Sequence, residues 1–159
     1  MENTNVELKS GRVWHYVSVR NIRWMNDPEV TKYLTHRGKV TYWRAFCYFL
    51  SHWRKGDILW AIYLRGKHIG NCGLFEIYQS SAQLKLMIGE KHWWGKGLGY
   101  LSISRILDRA SEYGLKRIWL NVHPKNTRAL RLYRIAGFIK ESDITLPNGI
   151  EQIRMYRFV

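Results

Sequence analysis

The stretch Lys91-His92-Trp93-Trp94-Gly95-Lys96-Gly97-Leu98-Gly99-Tyr100 limits what this chain can fold into more than any other feature. Its three glycines fall at every second position, and it separates two segments of different period. Before it, Ala82, Leu84, Leu86 and Ile88 alternate with Gln83, Lys85 and Met87, which marks a strand with one buried face. After it, Ile103, Ile106, Leu107, Ala110 and Tyr113 lie on one helical stripe that Gly114 ends. Glycine lets the backbone curl closely enough to aim several N–H groups at one point, and the helix N-terminus adds partial positive charge. A strand, a glycine loop and a helix in this order cradle phosphate.

Spacing separates the kinds of phosphate loop. A dinucleotide site asks for GxGxxG after an early strand and an acid about 20 residues on. Here the pattern is GxGxG, past mid-chain, and position 119 is Trp. The Walker pattern GxxxxGK[ST] is absent. The pyrophosphate loop of coenzyme A acetyltransferases fits, and a glycine turn without a ligand is the plain alternative.

The rest of the chain reads as alternating elements. Val6 to Val19 alternates loosely and reads as extended. Arg20 to Leu34 holds Asn26-Asp27-Pro28-Glu29, a helix start with Pro in the first turn and acids at the positive end. From Thr41 to Lys55, Tyr42, Phe46, Phe49, Leu50 and Trp53 take helical spacing, and Gly56 stops it. Ile58 to Arg65 and His68 to Tyr78 read as a hairpin turning at Gly66-Lys67. Arg117 to His123 is a strand, and Ala129, Leu132, Tyr133 and Ala136 define a helix that Gly137 caps. Phe138 to Leu146 and Glu151 to Val159 close the chain as a hairpin around Pro147-Asn148-Gly149. Trp43, Trp53 and Trp60 are expected in the core, while Trp93 and Trp94 flank the loop. The fold class is α/β: a mixed sandwich with one central sheet, over a single domain spanning 1–159.

Bulk composition narrows the class. The chain has 159 residues, 46% of them hydrophobic, enough for one real core. No apolar run approaches the ~20 residues of a membrane span. Met1 to Ser10, with Glu2 and Glu7, does not read as a secretory signal, so a cytoplasmic location is expected. The two cysteines, Cys47 and Cys72, make neither a disulfide framework nor a paired-cysteine metal site, and the six histidines lack HExxH spacing. No metal is expected. A balance of 26 Lys+Arg against 12 Asp+Glu leaves +14, which suits an anionic partner: a phosphorylated cofactor and substrate, or a nucleic acid.

Three blocks resemble the GNAT N-acetyltransferase superfamily. Trp94-Gly95-Lys96-Gly97-Leu98-Gly99 is similar to its Q/R-x-x-G-x-G/A motif, with Trp94 where the motif has Gln or Arg. Val122 to Phe138, with Asn126, Ala129, Tyr133 and Gly137, resembles V-x-x-x-N-x-x-A-x-x-x-Y-x-x-x-G-F. Trp24 to Val30 resembles the N-terminal helix of the RimJ/RimL-like branch, which acetylates protein N-termini and, in relatives, amino sugars. The resemblance implies a mostly antiparallel sheet of about seven strands flanked by helices, and acetyl-coenzyme A as co-substrate. It implies that Met87, Ile88 and Gly89 form a splayed strand end offering backbone groups to the pantetheine arm. Trp94, Gly95, Lys96, Gly97, Leu98, Gly99 and Tyr100 would hold the pyrophosphate, Asn126 would contact the cofactor, and Tyr133 would be the general acid.

Direct attack by an amine needs an oxyanion donor, for which the N–H of Ile88 is placed, and a proton for the leaving thiolate. Tyr133, of reference pKa about 10, can supply that proton to a thiolate whose thiol has a pKa of about 8.5. Some relatives place a Glu base where this chain has Asn121, which cannot take a proton. Glu76, Glu90 and His123 are the candidates that remain. Neutralising a lysine-like amine at pH 7 costs about 4.6 kcal/mol, against about 1.4 for an α-amino group near pKa 8. A site without a carboxylate base therefore favours an amine of lowered pKa, such as a protein N-terminus or an amino sugar. The acceptor class is a small-molecule amine or a protein N-terminus, with a nucleotide-linked or ribosome-associated anionic acceptor suiting the charge, and no membrane. A monomer or a homodimer is expected. A nucleic-acid-binding module on the same fold, and a coenzyme A binder without turnover, are the alternatives.

Overall fold

The computed structural model describes residues 5–35 and 38–159; residues 1–4, on which part of the leader reading rests, lie outside the described residues. Seven strands form one sheet in the order β1-β2-β3-β4-β5-β7-β6. They are β1 (Val6–Ser10), β2 (Ile58–Leu64), β3 (Lys67–Tyr78), β4 (Ser81–Ile88), β5 (Arg117–Val122), β6 (Ile139–Thr145) and β7 (Glu151–Phe158). All pairings are antiparallel except β4 with β5. The hairpin between β2 and β3 turns at Arg65 (φ 50°) and Gly66 (φ 73°), one residue earlier than the expected Gly66-Lys67. Two successive positive φ angles give the turn whose twist matches the strands.

The helices are α1 (Val13–Tyr16), α2 (Val19–Met25), α3 (Pro28–Thr31), α4 (Tyr42–Arg54), α5 (Leu98–Glu112) and α6 (Thr127–Ile135). Val6 to Val19 is not one extended segment, because β1 stops at Ser10 and α1 follows. Gly11 makes the break: a Cβ there would lie 2.7 Å from the Leu59 carbonyl oxygen. Arg20–Leu34 holds two helices, and the expected start at Asn26-Asp27-Pro28-Glu29 opens the second. Asn26 caps the end of α2, Asp27 caps the start of α3 through the Glu29 N–H, and Pro28 sits at the first position.

α5 packs Leu98, Ile103, Ile106, Leu107 and Ala110 against Leu84, Ile118, Leu120 and Val122 of the sheet. Trp60 lies in this core, but Trp43 (70% exposed) and Trp53 (65% exposed) do not. The inner face of α4 is set by Ala45, His52 and Phe49 instead, and His52 is tied to Asp57 at 2.6 Å. Among the described residues no helix is long and apolar enough to cross a membrane.

Candidate active site

The site begins where the sheet comes apart. β4 and β5 pair only over Ser81–Gln83 and Arg117–Trp119, so Leu84–Ile88 and Leu120–Val122 diverge into an open V. Gly89 N–H donates to the Ile69 carbonyl at 2.9 Å, and Gly70 stands opposite Ile88. In an antiparallel ladder hydrogen-bonded and non-hydrogen-bonded pairs alternate, so Ile88 turns both its N–H and its C=O away from β3 and into the V. Gly89 itself offers less than its motif position suggests. Its N–H is engaged, and its Cα lies so close to the Trp24 ring that a Cβ would come within 2.1 Å of Cδ2. Ile88 supplies an N–H turned away from β3 at the strand end, with Met87 half-buried beside it.

The glycine loop faces solvent at Gly95, Lys96 and Gly97. Gly95 (φ 74°) and Gly97 (φ 77°) hold left-handed backbone, and nothing lies within 4 Å of a Cβ built on either. The first helical bond of α5 runs from Leu101 N–H to Gly97 C=O, so the amides of Leu98, Gly99 and Tyr100 point out of the helix end without a carbonyl four residues back. Leu98 contributes only this amide, since its side chain is in the core. Gly99 packs against Leu132: a Cβ there would be 2.8 Å from a Leu132 methyl, which would have to shift.

Trp94 does more than interrupt the motif. Its indole N–H donates to the Ile88 carbonyl at 2.8 Å, and the Arg128 guanidinium lies 4.0 Å from its ring centroid. The ring thus spans the V from the first turn of α6 to the end of β4. Sequence reasoning missed this contact and the part of Arg128, because neither follows from local spacing. Lys96 stacks its ammonium over Trp93 at 4.7 Å.

On the far wall, Asn126 Oδ1 accepts from Ala129 N–H and caps α6, which leaves the amide nitrogen as the group able to face a ligand. Tyr133 is 9% exposed and packs edge-on against Phe138. Burial pushes its hydroxyl up to about 12. Among the described residues the buried polar side-chain atoms without partners are Ser81 Oγ, Gln83 Oε1 and Gln152 Nε2.

The three candidate bases fare differently. Glu76 stands near the β3–β4 turn, roughly 20 Å along the strand from Ile88 at about 3.3 Å per residue. Glu90 is bound by Arg23 at 2.7 Å and by the Trp24 indole at 3.1 Å. His123 Nδ1 accepts from Lys125 N–H at 3.1 Å, which puts the ring proton on Nε2 and occupies its lone pair. Asn121, in the position of the missing Glu, accepts from Arg154 Nε at 3.1 Å.

α3 roofs the mouth of the V. Lys91, just beyond β4, bridges Asp27 at 2.9 Å and Glu29 at 2.5 Å, while Tyr33 stacks on His123 at the end of β5, centroids 5.3 Å apart. Among the described residues no group of three or more His, Cys, Asp and Glu side chains could hold a metal ion.

Residues 15–139 match the acetyltransferase (GNAT) domain family. The chain belongs to this family. A spermidine N-acetyltransferase from Vibrio cholerae, solved with coenzyme A and spermine, shares the fold at TM-score 0.82 and 22% identity, covering 96% of this chain and 95% of that one. An aminoglycoside acetyltransferase in complex with coenzyme A superposes at TM-score 0.82 and 18% identity over 97% and 95%. A probable spermine N(1)-acetyltransferase of Bacillus subtilis subsp. natto is 33% identical over 85 residues, 48% of this chain and 56% of that protein. An uncharacterised protein of Methanocaldococcus jannaschii is 24% identical over 122 residues, 74% of this chain. The chain spans 25% and 56% of the lengths of these two curated relatives.

Proposed function

We propose that this GNAT chain transfers an acetyl group from acetyl-coenzyme A to a primary amine of lowered pKa. One observation carries the reading: an exposed glycine loop at the N-terminus of α5 stands beside the V that β4 and β5 open, and α6, which bears Tyr133, follows β5. The residues fit the cofactor, because positive φ at Gly95 and Gly97 and empty space above them leave a cradle lined by the α5 amides. Those amides and the helix dipole would hold the pyrophosphate, with Lys96 and Tyr100 beside them, and the Asn126 amide would contact the cofactor. When bound, acetyl-coenzyme A supplies an acetyl group activated as a thioester.

The chain's own groups do the rest. The Ile88 N–H, turned into the V, donates to the carbonyl oxygen as charge develops there. Tyr133 donates its hydroxyl proton toward the sulfur. With a pKa near 12 that hydroxyl stays protonated across the physiological range, so it acts first as a hydrogen-bond donor. Full transfer to a thiolate of ordinary thiol pKa would cost about 5 kcal/mol, and it becomes easier as the dry pocket raises the thiol pKa as well.

Among the described residues the candidate bases are taken or distant: Glu90 and His123 are engaged and Glu76 is remote. The amine must therefore arrive largely neutral. This supports an amino sugar or a protein N-terminus, as in the RimJ/RimL-like branch, over a lysine side chain. The test is acetyl-coenzyme A-dependent thiol release across a panel of glucosamine, short peptides with free N-termini, internal-lysine peptides and spermidine. Turnover with the first two classes is expected. Preference for internal lysine refutes the argument from the missing base.

A further inference from the structure

Twelve acids stand against 26 Lys and Arg in the chain, and among the described residues Asp27, Glu29 and Glu90, at the mouth of the V, are held by cations. Glu90 binds Arg23 at 2.7 Å with Arg20 at 4.0 Å. Asp27 and Glu29 both bind the single ammonium of Lys91. The pairing shows in the titration of the groups: hydrogen bonds from Lys91 and from the Glu29 N–H hold Asp27 below its ordinary value, and the two acids hold Lys91 above its own. Asp27 caps α3 through the Glu29 N–H, and Glu29, in the same turn, has its carboxylate drawn to Asp27's by Lys91.

A lysine side chain is a four-carbon stem ending in an ammonium, the same group as the aminobutyl end of spermidine. We propose that Lys91 is a specificity-determining residue that excludes polycationic acceptors, its ammonium occupying the dicarboxylate of Asp27 and Glu29 as a built-in mimic of a polyamine end. The proposal rests on the acetyltransferase reading and narrows its acceptor to amines with a single ammonium. The relatives' names include polyamines, but with these acids neutralised and a net +14, the mouth of this chain repels a second and third positive charge on the acceptor.

The experiment measures binding and turnover separately. Calorimetry of spermidine and of glucosamine against the full chain is paired with thiol-release kinetics for both amines. Lys91→Ala, with Lys91→Met retaining the stem, is compared with the wild type. The wild type is expected to bind spermidine more weakly than glucosamine. Either variant should bind spermidine about five- to tenfold more tightly, the yield of two exposed ion pairs, with spermidine KM falling in step and spermidine kcat unchanged. The gain should vanish in Lys91→Ala combined with Asp27→Asn and Glu29→Gln, and shrink in high salt. A wild type that binds spermidine better than glucosamine overturns the proposal, as does a Lys91 variant whose spermidine affinity is unchanged. A parallel loss for both amines with a lowered melting temperature assigns Lys91 a merely structural role and also overturns it. If calorimetry shows the gain but no amine is acetylated, the functional reading fails and the specificity of the mouth stands.

Discussion

Replacing Trp94 with Phe separates two consequences of its position across the V. The indole N–H donates to the Ile88 carbonyl at 2.8 Å in a part-buried setting, while the ring supports Arg128 at 4.0 Å. Phe keeps a ring beneath the guanidinium and removes only the donor. A hydrogen bond of this kind contributes about 1 kcal/mol net, which for a domain of this size is a melting-temperature loss of roughly 2–4 °C. The carbonyl so released is the group that the cofactor's arm would otherwise have to win from the indole. The same 1 kcal/mol then reappears as about fivefold tighter binding of coenzyme A. The variant should thus melt earlier alone, yet show a larger rise in melting temperature on adding coenzyme A. Scanning calorimetry with and without ligand, and titration calorimetry for Kd, read both effects. A lower melting temperature with weaker or unchanged coenzyme A affinity refutes the reasoning, because Trp94 would then support the bound cofactor or stand apart from it.

Tyr133→Phe should lower kcat by about 10²-fold or more, as expected for loss of a positioned proton donor, with little change in acetyl-coenzyme A KM. With the hydroxyl raised to about 12, wild-type kcat should show no fall due to Tyr133 below about pH 11, and a tyrosine limb near pH 10 would contradict this. Gly89→Ala drives a methyl into the Trp24 ring and should cost about 1–3 kcal/mol in urea unfolding together with most of the activity; a neutral result sinks the account of the α2–β4 packing. His15, faced by His68, Arg12 and Lys9 and close to Tyr63, has its pKa lowered to about 4, chiefly by desolvation. The unfolded chain takes up this proton near 6.5 and the folded one does not. His15 therefore contributes stability above pH 6.5 that is lost as pH falls toward 4, roughly 3 kcal/mol in all. Urea unfolding at pH 7 and pH 4.5 should show the loss, and His15→Gln should flatten it; an unflattened slope points to other groups.

Much of this arrangement is legible in the residues. The alternation of β4, the stripe on α5 and the glycines at 114 and 137 mark the elements around the site, because period and helix termination are local properties. The loop is legible for the same reason: Gly95 and Gly97 are demanded by their own φ angles. The loose alternation from Val6 to Val19 does not make one strand, because the break is imposed by Gly11 meeting Leu59, nearly fifty residues away. On α4 the spacing of aromatic residues revealed a helix but not its inward side. Ala45 faces the core, while Trp43 and Trp53 remain in water. The engagement of Trp94 with Ile88, of Asn126 with its own helix and of Lys91 with α3 depends on tertiary approach, which no pattern in the chain records.

Among the described residues, Ser81–Gln83 and Arg117–Trp119 pair the β1–β4 half of the sheet with the β5–β7 half, with Lys116 N–H donating to the Ser80 carbonyl beside them. In mechanical terms the molecule is two antiparallel plates sewn along one short seam. Beyond the last stitch, strand-edge groups such as those of Ile88 face no strand of this chain. An amide-bearing arm laid in that gap would serve as a borrowed eighth strand. Occupancy should therefore slow hydrogen exchange along both lips of the seam together, well away from the glycine loop proposed to grip the arm's charged end.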